Sequence, residues 1–82
     1  MIERIRLDDD QETYEVDIGD REVVVILCLD GVIEVKGRYG QDPYAVLSKY
    51  ETWTLTSPHR YPIVRAVNPT GAEFLIVRYF RS

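Results

Sequence analysis

The run from Val23 to Leu29 constrains the fold more than any other part of the chain. It consists of seven consecutive apolar residues, most of them β-branched, so it is too short to cross a membrane and too branched to favour a helix. The dipeptide Asp30-Gly31 separates it from a second apolar run, Val32 to Val35. Because both turn residues tolerate the positive φ of a type I′ turn, this order predicts a β-hairpin. The lack of polar alternation predicts a first strand buried on both faces, in the middle of a β-sandwich or small barrel.

The rest of the chain reads as further short strands separated by turn-forming residues. The predicted strands are residues 2–7, 13–18, 44–47, 52–55, 63–67 and 73–80. Together with the central pair they make about eight strands at a spacing of roughly 8–12 residues, which is typical of an all-β sandwich or barrel. The sequence therefore predicts one all-β domain over residues 1–82.

Composition restricts the partners. Ten basic and fourteen acidic residues give a net charge of −4 without a basic stripe, which argues against nucleic acid or an anionic membrane as a partner. No apolar stretch is long enough for a membrane span, and the N-terminal residues do not resemble a signal peptide. We therefore expect a cytoplasmic location. Because a domain this small buries only about 60–65% of its unfolded surface, a homodimer is expected.

From Glu22 to Tyr79 the order of features resembles that of a cupin, the small double-stranded β-helix (jelly-roll) family. An apolar strand ends in Asp30-Gly31 and leads into a second strand. The matching segments that follow are an alternating strand (50–55), a proline-bearing loop (56–62), a strand ending near residue 68 and a closing strand (74–79). The resemblance implies a jelly-roll barrel of about eight short antiparallel strands. It also implies a ligand pocket in the barrel interior and at its open end.

The chain departs from the metal-binding cupins at the ligand positions. Those proteins carry His-x-His and then Glu ahead of the glycine matched by Gly31, and a further histidine in the second motif. Here Val24 stands in place of the glutamate, residues 17–20 contain no histidine, and His59 is the only histidine in the chain. The lone cysteine, Cys28, excludes a multi-cysteine site and is expected to act as a small buried hydrophobe. The sequence therefore predicts no metal and no other cofactor.

Polar residues on apolar strands are the candidates for the pocket. Arg65 lies within the strand 63–67, with Tyr61 on the same face by period two, and Arg78 lies within the closing strand. An arginine facing the pocket would hold a carboxylate or phosphate in bidentate fashion. Alternatively, each arginine lies on an outer face and pairs across strands with an acidic residue. The acidic candidates are Glu34, Glu51 and Glu73.

The remaining candidates are aromatic or imidazole groups. His59 would be a general acid or base, although no nucleophile or orienting carboxylate pairs with it by spacing, and a surface-loop histidine is the other interpretation. Trp53 and Tyr61 would stack on a sugar or base, or else belong to the core.

The function expected from these features is binding of a sugar or sugar phosphate by a metal-free, cupin-like domain. The pocket would be lined by Arg65, Tyr61, His59, Arg78 and Trp53. One alternative is a small non-metal isomerase or nucleoside-phosphorylase-like enzyme that uses His59 or Tyr61 for proton transfer. The other is an oligomerisation or interaction module without a pocket, in which the apolar strands form a subunit interface.

Overall fold

The computed structural model describes residues 1–37, 43–56 and 62–81. These residues form eight strands and no helix, so the all-β prediction is confirmed, and none of them belongs to a helix that could cross a membrane. The strands are β1 (Ile2–Leu7), β2 (Thr13–Glu15), β3 (Glu22–Asp30), β4 (Ile33–Lys36), β5 (Pro43–Leu47), β6 (Thr52–Thr56), β7 (Ile63–Ala66) and β8 (Ala72–Phe80).

The strands form two four-stranded antiparallel sheets. We call the sheet with the order β1-β8-β3-β6 sheet A and the sheet with the order β2-β7-β4-β5 sheet B. In the described part of the chain no ladder joins the two sheets, so the architecture is a sandwich and not the closed barrel that was expected. The core between the sheets is apolar. It contains Leu7, Val24, Ile26, Cys28, Leu55, Ala72, Phe74 and Ile76 from sheet A, and Val16, Ile33, Val35, Leu47, Val64 and Ala66 from sheet B and its flanks.

Period-two alternation decides which side chains enter this core. In β6, Trp53 and Leu55 point inward and lie opposite Ile26 and Val24 of β3, as the sequence predicts. Strand β2 is shorter than predicted. Val16 lies just beyond its end but is still fully buried, and its N–H donates to the carbonyl oxygen of Pro62 (2.8 Å).

The prediction that β3 is buried on both faces is only half right. Its inner residues Val24, Ile26 and Cys28 are completely buried. Of the outer residues, Val23 is also buried, whereas Val25 and Leu27 keep contact with solvent. The strand is central because it lies between β8 and β6. Its outer side chains, however, lie on an outer surface of a two-layer structure, which has only one fully covered core.

The predicted hairpin at Asp30-Gly31 is wrong. Strand β3 belongs to sheet A and β4 to sheet B, so the two strands do not pair and the turn is a corner between the sheets. A type I′ turn needs positive φ at both central residues, but only Gly31 has it (φ 74°). The glycine is needed there for a second reason. A Cβ at Gly31 would lie 2.8 Å from the carbonyl oxygen of Gly71, where another turn passes close by.

Candidate functional site

The structure separates the predicted site residues. His59 and Tyr61 lie outside the described residues, and their roles stay predictions. Arg65 alternates with the buried Val64 on β7, so its side chain lies on the outer face of sheet B, away from the core. There it pairs with Glu34 on β4, with Nε and Nη2 at 2.9 and 2.8 Å from Oε1. This is the outer-face pairing that the sequence offered as the alternative.

Arg78 lies on the inner-face side of sheet A, at one end of the sandwich and opposite Val24. Its Nη1 donates to Oε1 of Glu22 (2.8 Å) and to the carbonyl oxygen of Asp17 (2.6 Å). Both charged side chains are mostly buried. The guanidinium is therefore already held by acceptors of its own chain.

Tyr14 and Glu3 extend this group, and we call Glu3, Tyr14, Glu22 and Arg78 the end cluster. The hydroxyl of Tyr14 donates to Oε1 of Glu3 (3.1 Å), and its ring lies edge-on to Phe74 with centroids 6.0 Å apart. Burial raises the pKa of Tyr14 above its ordinary value, the Glu3 carboxylate raises it further, and the positive charge of Arg78 opposes both. These contacts close one end of the apolar core with paired polar groups.

Trp53 lies on the inner face of the edge strand β6 and packs partly against the core. Its indole Nε1 is buried and has no hydrogen-bond acceptor among the described residues. In sheet A, Trp53 shares a cross-strand row with Ile26 and Ile76, whereas Arg78 lies in the neighbouring row with Val24. Trp53 and Arg78 therefore share the inner face of sheet A. Arg65 lies on the outer face of sheet B, so the three residues form no common site.

A different site lies on the outer face of sheet A. It is an open depression of about 580 Å³, which we call the surface basin. Its lining comes from β1, the end of β3, the turn before β6, and β8. The lining residues are Arg4, Leu29, Asp30, Lys49, Tyr50, Glu73 and Leu75.

Paired charges form one wall of the surface basin. Arg4 and Glu73 are on adjacent strands, and Nε of Arg4 donates to Oε2 of Glu73 (2.7 Å), with Nη2 also in contact. Arg6 lies on the other side of the same carboxylate, with Nη1 3.7 Å from Oε1 of Glu73 and 3.8 Å from Asp30. Opposite charges across neighbouring strands stabilise the sheet modestly and orient each other.

The turn before β6 forms the opposite wall. The N–H of Tyr50 donates to the carbonyl oxygen of Cys28 (2.7 Å), and the N–H of Cys28 donates to the carbonyl oxygen of Glu51 (3.0 Å). These bonds hold Tyr50 at φ 70°, in the left-handed region that bulky residues rarely occupy. Nζ of Lys49 lies 5.2 Å from the centroid of the Tyr50 ring, within cation–π distance. The strained backbone therefore presents an exposed aromatic ring beside an ammonium group.

The chemistry available in the surface basin is recognition by charge and stacking. Arg4 and Lys49 provide cations, Asp30 and Glu73 provide acceptors, and Tyr50 provides an aromatic surface. The described part of the chain contains no group of three or more histidine, cysteine or acidic side chains suited to a metal ion. Sequence reasoning missed this site because its residues come from four separate segments. The one local signal was a cation next to an aromatic residue in a turn, at Lys49-Tyr50.

No protein-family model matches the chain, and comparison with curated proteins and with solved structures found no match. The resemblance to cupins therefore stays a prediction.

Proposed function

We propose that this protein is a small jelly-roll domain that binds a sugar or sugar phosphate without a metal ion. The topology supports the fold. Strand β1 pairs with β8, β2 with β7, β3 with β6, and β4 with β5, all antiparallel. Such nested pairing is that of a single long hairpin folded over into two sheets, and eight strands in two sheets is the layout of a jelly roll. The cupin resemblance in the sequence points the same way.

The surface basin is the site that supports this function best. The inner faces of the described strands meet in a packed apolar core, whereas the surface basin is open and polar. Its volume of about 580 Å³ falls within the range of roughly 300–1,000 Å³ usual for small-molecule sites. A phosphate would bind to Lys49, because the guanidinium of Arg4 is already held by Glu73, and a sugar ring would stack on Tyr50.

The observation that carries the proposal is the backbone of Tyr50. A tyrosine at φ 70° costs on the order of 1–3 kcal/mol, and such strain persists where a side chain has a task at that position. Glycine would take the same conformation without steric cost. The ring is mostly exposed and belongs to no hydrophobic cluster, so core packing does not account for its presence.

Replacement of Tyr50 by glycine separates a structural role from a binding role. We expect Tyr50→Gly to unfold at the same or a higher denaturant concentration, because the strain is relieved. In calorimetric titration the variant should bind glucose 6-phosphate and glucose about fivefold more weakly, because a stacked ring contributes ~1 kcal/mol. Binding of inorganic phosphate, which does not stack on the ring, should not change.

Lys49→Gln supplies the second test, with Lys36→Gln on sheet B as the matched control. The first should weaken binding of the phosphorylated sugar more than binding of the neutral sugar, and the second should change neither. Absence of binding by the wild-type protein, or equal affinities of wild type and Tyr50→Gly for the two sugars, would overturn the proposal.

A further inference from the structure

The two outer faces of the sandwich differ in chemistry. On sheet B the central strands carry polar outer residues, with Glu34 and Lys36 on β4 and Arg65 on β7. Thr13 and Glu15 of β2 continue this polar surface at the sheet edge. The outer face of sheet B is therefore largely polar along β2, β7 and β4, as expected for an antiparallel sheet that faces water. Ile63 on β7 and Val46 on the edge strand β5 are apolar residues on the same face.

The outer face of sheet A is apolar at its centre. Ile2, Val77 and Val25 lie side by side on β1, β8 and β3, and Leu75 and Leu27 form the next row. We call these five residues the apolar strip. Ile2 is 69% exposed, and the other four keep part of their surface in solvent. Contiguous apolar patches on a small soluble protein mark sites of association.

We propose that two copies of this chain associate through the apolar strip, with the outer faces of their sheets A packed against each other. The charges beside the strip favour a second copy over a charged partner. Arg4, Arg6, Asp30 and Glu73 are paired with one another on the same face. These four charges cancel in pairs, and Lys49 in the surface basin is a further charge on this face. Two identical faces can therefore meet with little like-charge repulsion, although the whole chain has a net charge of −4.

The other margin of the strip is also neutral. Thr52, Thr54 and Thr56 are the outer residues of β6, opposite Leu27, Val25 and Val23. A two-fold axis through the strip would bring one copy's apolar rows onto the other's, which is the self-complementary arrangement of a closed dimer.

The dimensions of the molecule allow a stable interface. The described backbone measures 39 × 26 × 17 Å, and the short dimension is that of two sheets stacked ~10 Å apart with their twist. A broad face of 39 × 26 Å bounds a footprint of about 1,000 Å², compared with ~800 Å² per partner in a standard interface. An interface of that size would extend beyond the apolar strip to the surface basin and the outer residues of β6. The sheet face is thus large enough for a dimer.

Sedimentation analysis over a range of protein concentrations tests the proposal on the full chain. The wild type should approach twice its monomer mass of 9.6 kDa. Leu27→Glu places a carboxylate in the centre of the strip and should raise the dimer dissociation constant at least about tenfold, because an unpaired buried charge is strongly unfavourable.

Ile2→Glu is a second test that applies even if Leu27→Glu fails to fold. Ile2 is on an edge strand and mostly exposed, so the monomer should tolerate a carboxylate there while the dimer weakens. Val46→Glu is the matched control, since Val46 is 53% exposed on the outer face of sheet B, and it should leave the dimer intact. Circular dichroism would verify that each variant is folded.

A wild type that stays at the monomer mass at every concentration would overturn the proposal. So would a dimer that Ile2→Glu leaves unchanged, or one that Val46→Glu dissociates as strongly. The proposal does not depend on ligand binding. An interface over this face would cover the surface basin, which shares Leu75 with the apolar strip, so a ligand and a second copy would compete for it. The variants at Ile2 and Leu27 lie outside the basin, and ligand titration of the Ile2→Glu variant therefore tests binding separately from association.

Discussion

Replacing Arg78 by methionine should lower the free energy of unfolding by ~2–3 kcal/mol. The Arg78 side chain is 15% exposed and that of its partner Glu22 is 13% exposed. One guanidinium nitrogen donates to the Glu22 carboxylate (2.8 Å) and to the Asp17 carbonyl (2.6 Å). Methionine retains the apolar stem but removes the guanidinium donor from both acceptors, and Glu22 Oε1 keeps only the N–H of Gly19 (3.2 Å).

The magnitude follows from partial burial. Removing one member of a fully buried ion pair costs roughly 3–5 kcal/mol, because the remaining charge is desolvated and uncompensated. The residual exposure of Arg78 and Glu22 lets water solvate part of the orphaned carboxylate, which reduces the cost. In a domain of this size each kcal/mol corresponds to ~4–8 °C in Tm. Adding Glu22→Gln to the variant should recover part of the loss, because the unpaired charge is then removed.

Arg65→Met is the matched control. Arg65 also pairs across strands with a glutamate, Glu34, but its side chain is 38% exposed, and such pairs contribute only ~0–1 kcal/mol. Urea unfolding of both variants, with unchanged m values, measures the difference. Equal losses for Arg78→Met and Arg65→Met would refute the reasoning that burial at the end cluster sets the cost.

Three further outcomes are expected. Burial and the Glu3 carboxylate raise the pKa of Tyr14 above 10.0. The contribution of Tyr14 to stability is therefore complete below pH 10 and is lost as the pH rises through the folded-state pKa. Tyr14→Phe should make stability depend less on pH in the alkaline range, and an ultraviolet titration should show one fewer late-titrating phenol. Gly71→Ala should destabilise the fold by ~2 kcal/mol or more, because Gly71 has φ 85° and an added Cβ would overlap the backbone at the end of β1. Gly19 has open space around it, so Gly19→Ala should be nearly neutral in the same unfolding assay. Cys28 is fully buried, and burial raises the pKa of its thiol. A thiol reagent should therefore modify Cys28 only as fast as the native protein transiently unfolds. Rapid labelling in native buffer would contradict this expectation.

Several features of the candidate sites were within reach of the sequence. Alternation placed Trp53 inward on β6, and the charge pattern offered Glu34 as a partner for Arg65. Arg78 was expected either in a pocket or paired on an outer face. It lies instead on the inner-face side, with Glu22, which was not among the expected partners. That pair depends on the register between β3 and β8, and local patterns do not carry the register of strands far apart in the chain.

The dependence on pairing between distant strands also explains why the surface basin was not predicted from the sequence. Tyr50 and Glu73 are 23 positions apart in the chain, and they meet because β8 pairs with β3, whose Cys28 carbonyl also anchors the turn at Tyr50. The positive φ of Tyr50 had no signal in its residue type, since a tyrosine does not favour that conformation.

The amino-acid sequence by itself determined the all-β class, the approximate strand positions and, for alternating strands such as β6, the side that enters the core. These properties depend on side-chain alternation and turn residues, which act over a few neighbouring positions. Only the tertiary structure decided that Asp30-Gly31 is a corner between the sheets, that one face of β3 lies outside the core, and that the surface basin exists. Those outcomes depend on which distant strands pair, and strand pairing is selected by the free energy of the whole sandwich.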